Sequence, residues 1–138
     1  MCASLQGTEE MTAVVAWLAR RSGNAVELSR AFVELGLEEL GGNYTDTELP
    51  QGDAFLIAAA LAAVAAQAKK NKGTVNLAEW GERGEVALGR DVPRLTQLAT
   101  AMKYFALAPE DHRVSQRWDE DTLTALADEA ESLRGELD

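Results

Sequence analysis

The sequence predicts an all-α fold: a single compact bundle of five to six helices around a buried, Ala-rich central helix. The first observation is an unbroken apolar run of 13 residues, Ala54–Ala66, which has no polar face and therefore needs other helices around it. The second is composition, because 46% of the residues are hydrophobic but 6% are aromatic, which favours close packing of helices rich in Ala, Leu and Val. The third is that the other apolar residues recur with helical spacing and no strand-like alternation.

The first helix is predicted over Thr8–Arg21, with Thr8 as its N-cap and apolar residues at i, i+3, i+4 and i+7. A second helix is predicted over Asn24–Leu40, with Asn24 as its cap and Gly41-Gly42 as its end. Gly36 lies inside that stretch and argues against an unbroken helix.

Residues 43–52, with the sequence NYTDTELPQG, are predicted to form a loop. Asp53 then caps the third and central helix, which runs to about Asn71 and stops at Gly73. Asn76 caps a shorter fourth segment that is interrupted by glycine. This segment contains Trp80, Gly81, Gly84 and Gly89.

Pro93 opens the fifth helix in its first turn, where a missing backbone N–H costs nothing, and Ala108-Pro109 closes it. Its inward stripe is Leu95, Leu98, Ala99, Met102, Phe105 and Ala106. The last helix starts at Asp119 or Asp121, and its apolar residues repeat at intervals of 3, 4, 3 and 4. These residues are Leu123, Leu126, Ala130, Leu133 and Leu137.

The 138 residues are expected to form one helical domain over 1–138, with residues 1–7 as a flexible N-terminus. Cys2 is the single cysteine, so an intramolecular disulfide is excluded and cysteine usage gives no sign of an oxidising compartment. The start has no secretory signal pattern, and the longest apolar run falls short of the roughly 20 residues of a membrane span. A cytoplasmic protein without a membrane segment is therefore expected.

The chain has a formal net charge of −10, which argues against non-specific binding to nucleic acid. The acidic residues are concentrated at the two ends, with a net charge of −5 in residues 1–52 and −6 in residues 91–138 around a middle of +1. Such an acidic surface aids solubility and also suits a partner protein with a basic surface. Nine Arg against four Lys, with abundant Ala, indicate a GC-rich bacterial or phage genome.

The sequence lacks residues that the usual catalytic and cofactor-binding patterns require, so no cofactor and no catalysis are predicted. The single histidine, His112, and the single cysteine exclude the usual zinc clusters. Residues 68–80 resemble a calcium loop, but Lys70 and Lys72 occupy positions that require carboxylates. His112 lies in a polar link without a strand–turn–helix that could place a nucleophile, and no phosphate-binding glycine pattern is present.

Two polar links are candidate protein-interaction sites. Residues 43–52 contain Tyr44, and residues 107–120 contain His112, Arg113, Arg117 and Trp118. Aromatic side chains next to arginines are typical of interface hot spots. For Trp118 an equally good interpretation is a hydrophobic staple that packs on the following helix. For His112 a solvated loop histidine is favoured over a catalytic one.

The last helix is a further candidate surface, because acidic residues surround its apolar seam. Asp121, Asp128 and Glu131 are the acidic candidates for contact with a partner. The seam can pack on its own bundle or form a homo-oligomer with a second copy. Two heptads are too short for an independent coiled coil, which favours packing within the chain.

Residues 85–103 suggest an alternative function, a DNA-binding regulator with a helix-turn-helix-like segment. Its second helix would present Arg94, Gln97, Thr100 and Lys103, and Arg and Gln are base-reading side chains. Glycines in the first helix and the acidity of the chain argue against it, and an ordinary exposed helix face explains the same residues.

The leading functional prediction is a non-catalytic protein-interaction or assembly protein: a small acidic helical subunit, adaptor or inhibitor that binds a partner protein. The DNA-binding regulator is the first alternative. A small-ligand-binding bundle or enzyme with an unrecognised pocket among the Ala-rich helices is the second.

Overall fold

The computed structural model describes residues 8–21, 23–40, 44, 47–50, 52–82, 84–89, 91–116 and 118–137. Within these ranges the α-helices are α1 Glu9–Ala19, α2 Leu28–Leu35, α3 Ala54–Lys70, α4 Val92–Leu107 and α5 Glu120–Leu137. The strands are β1 Ala25–Glu27, β2 Glu48–Leu49, β3 Gly52–Asp53, β4 Thr74–Asn76 and β5 Glu85–Gly89. Short 3-10 turns cover Glu38–Leu40, Leu77–Trp80, Pro109–Asp111 and Arg113–Gln116. The predicted flexible residues 1–7 and the predicted end at Gly41-Gly42 lie outside the described residues.

Over the described residues the fold is mostly helical, with 70% helix and five α-helices. The helical content is therefore as predicted, but the prediction of a pure all-α bundle is wrong because two small sheets are present. One sheet has three strands in the order β1-β5-β4, and the other pairs β2 with β3. The second of these sheets spans residues 48–53, and all of it except Asp53 lies in the segment predicted to be a loop, residues 43–52.

The central helix is α3, as predicted. The Asp53 carboxylate caps it by accepting hydrogen bonds from the backbone N–H groups of Phe55, at 2.9 Å, and Leu56, at 3.4 Å. Gly73 follows its end with φ +96°, a conformation that favours glycine. Helices α1, α4 and α5 and strand β4 all pack against it, and of its apolar residues Ala63 is partly buried and the others are buried.

The first helix also begins as predicted, since the Thr8 hydroxyl accepts a hydrogen bond from the Met11 N–H at 3.1 Å. The predicted second helix is wrong over its first turn. Residues 25–27 instead form β1, which pairs in parallel with β5 and buries Val26. The helix that follows, α2, ends at Gly36 in a left-handed conformation, so the glycine that argued against an unbroken helix does terminate it.

The predicted fourth helix is replaced by a strand, a 3-10 turn and a second strand. Asn76 does act as a cap, because its side-chain oxygen accepts a hydrogen bond from the Ala78 N–H at 3.0 Å. Strand β5 follows and alternates between exposed and buried residues, with Val86 and Leu88 inward. Two inward residues are too few to produce a recognisable period of two, and the partner strand β1 lies far away in sequence.

The last two α-helices complete the bundle. Asp91 caps α4 through the Arg94 N–H at 3.3 Å, and Asp119 caps α5 through the Thr122 N–H at 2.8 Å. Phe55 near the start of α3 stacks on Phe105 near the end of α4, which shows that α4 runs antiparallel to α3. An ion pair between Lys70 and Glu136 joins the C-terminal ends of α3 and α5. The start of α5 therefore lies at the same end of the bundle as the end of α4.

Candidate interaction surface

Tyr44, a predicted contact residue, lies in the core with 2% of its surface exposed. Its hydroxyl accepts a hydrogen bond from the Gln97 side-chain amide at 3.0 Å. Burial raises the pKa of the Tyr44 phenol above its ordinary value. The residue anchors its own chain to α4 and offers little surface to a partner.

Arg94 and Gln97, two of the predicted nucleic-acid contacts, are hydrogen-bonded to each other and to neighbouring side chains of the fold. The Arg94 guanidinium pairs with Glu38 at 2.6 Å, donates to the Gln97 side-chain oxygen at 3.1 Å and lies over the Phe32 ring. Thr100 and Lys103 are exposed on α4. The helix-turn-helix itself is wrong, because residues 85–89, which its first helix would need, form strand β5.

His112 is buried, with 5% of its surface exposed, and the expectation of a solvated loop histidine is wrong. Its ring makes edge contacts with Phe55 and Phe105, at centroid distances of 5.1 and 4.8 Å. Its Nδ1 lies 3.3 Å from the Ala108 carbonyl oxygen. Burial lowers the pKa of the imidazole below its ordinary value, so the ring is a neutral part of the core.

Arg113 is half exposed and pairs with Glu48 at 3.2 Å, which ties the link after α4 to strand β2. Arg117, the other predicted arginine of this link, lies outside the described residues. Trp118 is half-buried and packs against the hydrophobic core. Packing against the core is what the staple interpretation of Trp118 requires.

The apolar seam of α5 is covered by its own chain. Leu126, Ala130, Leu133 and Leu137 are buried, and α5 packs on α3 and α4. Packing within the chain, the favoured interpretation, is therefore what the structure has. The seam gives no support to a homo-oligomer through this helix.

The opposite face of α5 is acidic and exposed. It carries the three predicted residues Asp121, Asp128 and Glu131 together with Glu120. Glu131 forms an ion pair with Arg134 at 2.5 Å, and this hydrogen bond, with a smaller contribution from Lys103 of α4, lowers the pKa of the Glu131 carboxyl. Since Lys103 is close enough to affect Glu131, the exposed faces of α4 and α5 adjoin.

The exposed face of α4 carries three large apolar side chains among polar ones, and none of the three is among the predicted contact residues. Among the described residues, four large hydrophobic side chains are exposed, and three of them lie on α4: Val92 (55%), Tyr104 (63%) and Leu107 (70%). They lie on the side of α4 opposite the inward stripe, within a face that also contains Thr96, Thr100 and Lys103. The helical periodicity of α4 is the signal in the sequence that places these three apolar residues on its outward side.

A cleft of about 500 Å³ lies next to the end of this face, between the link after α4 and the start of α5. Its apolar lining comes from Pro109, Trp118 and Leu123, and its acidic lining from Glu110 and Glu120. Ser115 and Thr124 complete the lining. The cleft combines apolar walls with two exposed carboxylates, and we call it the acidic cleft.

A second cleft, of about 380 Å³, has the opposite charge. It lies between the end of α3, strand β5 and the start of α4, and its charged lining residues are Lys69 and Lys72. Lys72 has a φ of +57°, which follows from its place in the turn between α3 and Gly73. Both lysines also lie near the C-terminal end of α3, where the helix dipole favours cations, so this cleft has a structural explanation.

The described residues hold no group of three or more His, Cys, Asp or Glu side chains that could bind a metal ion. Over the same ranges, no helix combines the length and apolarity that a membrane crossing requires.

Comparison with known proteins places the chain in a family. The family model described as Immunity protein 68 matches residues 3–137, nearly the whole of the chain. No curated protein and no solved structure matches the chain significantly. The chain therefore belongs to the Immunity protein 68 family.

Proposed function

We propose that this protein is an immunity protein that binds a toxin protein and neutralises it by direct, non-catalytic contact. The observation that carries the proposal is the family match over residues 3–137. An immunity protein of this kind is one form of the acidic, partner-binding inhibitor that the sequence predicts. The proposed location is the cytoplasm.

The surroundings of the ionisable core residues support binding rather than catalysis. His112, the one imidazole of the sequence, is enclosed by Phe55 and Phe105, where it stabilises packing. The Asp53 carboxylate caps α3, and burial raises its pKa. The buried Glu10 side chain accepts a hydrogen bond from the Asp53 N–H at 2.8 Å. Each of these groups has a structural task inside the fold.

The charge of the chain supports a partner with a basic surface. The formal net charge is −10, and residues 91–138, which contain α4 and α5, contribute a net −6 of it. Opposite charge speeds the encounter of two proteins and disfavours partners of like charge. A toxin with a basic contact surface is therefore the proposed partner.

The experiment is a neutralisation screen in bacteria. Individual bacterial genes are induced in a host with and without this chain under a separate promoter, and growth is measured. The proposal expects at least one gene whose induction stops growth alone and permits growth when the chain is present. The product of that gene, purified, is then expected to form a complex with the chain.

Stoichiometry separates binding from catalysis. A non-catalytic inhibitor protects only when it is at least equimolar with the toxin, and the toxin recovered from the complex has its original mass and regains its activity. Protection by a small fraction of an equivalent, with a permanently altered toxin, would show an enzyme instead. A screen in which the chain rescues no gene would contradict the proposal.

A further inference from the structure

We propose that the acidic cleft, together with the exposed Tyr104 and Leu107 of α4, is the toxin-binding surface, and that the cleft receives a lysine or arginine side chain of the toxin. This inference rests on the proposed immunity function and adds the site and the chemistry of the partner. The occupant is a toxin surface with a basic side chain beside apolar ones.

The lining of the acidic cleft matches the two parts of a long basic side chain. Pro109, Trp118 and Leu123 provide apolar walls for the aliphatic stem, and Glu110 and Glu120 provide carboxylates for the charged head. Long basic side chains bury their methylene groups on apolar surface while the head group stays paired or solvated. A guanidinium is favoured over an ammonium, because it pairs with carboxylates in a bidentate manner.

The exposed end of α4 extends this surface with apolar area. Leu107 is two residues before Pro109, the first residue of the cleft lining, so their Cα atoms are within about 7.6 Å. Tyr104 is one turn earlier on α4, and the two side chains are neighbours at i and i+3. Apolar side chains with a charged cleft at their border are the arrangement of a protein interface, with an apolar centre and a polar rim.

Charge complementarity selects the occupant. Glu110, Asp111, Asp119, Glu120 and Asp121 are all exposed around this end of the bundle. A second copy of the chain would bring the same acidic residues against one another, which costs free energy. A basic toxin surface gains the corresponding attraction, so the toxin rather than a second copy is the occupant.

The test measures affinity for the purified toxin from the neutralisation screen by isothermal titration calorimetry. The variant Glu110→Lys combined with Glu120→Lys reverses both carboxylates of the cleft. Its expected dissociation constant is at least about 30-fold higher than that of the wild type, since it places two like charges against the basic side chain. The matched control is Glu82→Lys, an exposed glutamate in the turn after Trp80, which is expected to change the constant by less than about threefold.

A second pair of variants tests the apolar part of the surface. Leu107→Ala removes an exposed apolar side chain at the proposed contact and is expected to weaken binding about 10-fold or more. Val33→Ala makes a similar truncation at the exposed hydrophobic residue of α2, and its affinity is expected to stay within about threefold of the wild type. Circular dichroism and urea unfolding of each variant verify that the fold is retained.

The outcomes separate the two proposals. A wild type that neutralises and binds a toxin, with cleft variants of unchanged affinity, overturns this inference and leaves the immunity function standing. A wild type that binds no toxin overturns both. Dimerisation of the wild type in sedimentation equilibrium that Leu107→Ala abolishes would also overturn it, because a second copy would then be the occupant of this face.

Discussion

Helices α3 and α4 are both rich in apolar residues, yet the fold uses them differently. Helix α3 is surrounded by α1, α4, α5 and strand β4, and all its apolar residues are buried except Ala63, which is partly buried. Helix α4 packs on α3 and α5, and its other side is exposed with Val92, Tyr104 and Leu107 on it. Apolar content shows that a helix can be buried, whereas its neighbours decide which faces are covered.

The largest expected effect on the free energy of unfolding comes from a substitution in α3. Leu61 of α3 is 1% exposed, so Leu61→Ala removes buried methyl groups and leaves a cavity. The free energy of unfolding is expected to fall by about 3 kcal/mol, measured by urea denaturation. A loss below about 1 kcal/mol would contradict the central packing of α3.

The second effect concerns the turn that leads into α3. Gly52 has a φ of +137°, and an added Cβ would lie 2.3 Å from Oε2 of Glu10, which is fully buried and cannot move aside easily. Gly52→Ala is therefore expected to lower the free energy of unfolding by about 2 kcal/mol or more.

Gly23→Ala provides the control for this substitution. Gly23 also has a positive φ, of +85°, but no atom of the described residues, apart from its chain neighbours, lies within 4 Å of its added Cβ. A loss of about 1 kcal/mol is expected from backbone strain alone. Equal losses at the two glycines, in urea unfolding, would show that the contact with Glu10 is unimportant.

A third, smaller effect is the pH dependence of stability that comes from His112, which lies where α3 and α4 meet. Burial lowers the pKa of His112 in the folded protein, so the unfolded chain binds the proton more readily. Stability from this residue is fully present above the unfolded pKa of about 6.5 and is lost as the pH falls below it toward the folded pKa. Urea unfolding at pH 7.5 and pH 5.5 measures the loss.

The variant His112→Phe retains an aromatic ring between Phe55 and Phe105 and removes the titrating group. The difference in unfolding free energy between the two pH values is expected to be smaller in this variant than in the wild type. The comparison with the wild type also cancels the contribution of Asp53, whose raised pKa has the opposite sign. An identical pH dependence in both proteins would exclude a buried, neutral His112.

The smallest expected effect on stability is at the exposed face of α4. Leu107 is 70% exposed, so Leu107→Ala changes little buried surface. The free energy of unfolding is expected to stay within about 0.5 kcal/mol of the wild type, in contrast to the same substitution at Leu61. A loss comparable to that of Leu61→Ala would show that α4 is covered on both sides.

The helical elements could be predicted because their signals are local. Asp53 and Thr8 cap their helices as expected, and the 13-residue apolar run of α3 requires neighbours on all sides. The three-stranded sheet could not be predicted in the same way. Its strands have three to five residues, and β1 pairs with β5 across about 60 positions of sequence. Such short strands show no recognisable alternation of apolar and polar residues.

The candidate surface was only partly predictable. The acidic residues Asp121, Asp128 and Glu131 are exposed as an amphipathic helix implies. Tyr44 and His112 look like loop residues in the sequence, but tertiary contacts with Gln97, Phe55 and Phe105 bury them. Tyr104 and Leu107 show the opposite case, because apolar residues in a helix suggest burial and yet both are exposed among the described residues.

Amide hydrogen exchange of the chain, alone and in complex with its toxin, tests the central claim most directly. If α3 supports the fold and the end of α4 with the acidic cleft binds the partner, exchange in residues 104–124 slows in the complex. Exchange in residues 74–89, which contain β4 and β5, is expected to stay unchanged. Protection in residues 74–89 with no change in residues 104–124 would contradict the account.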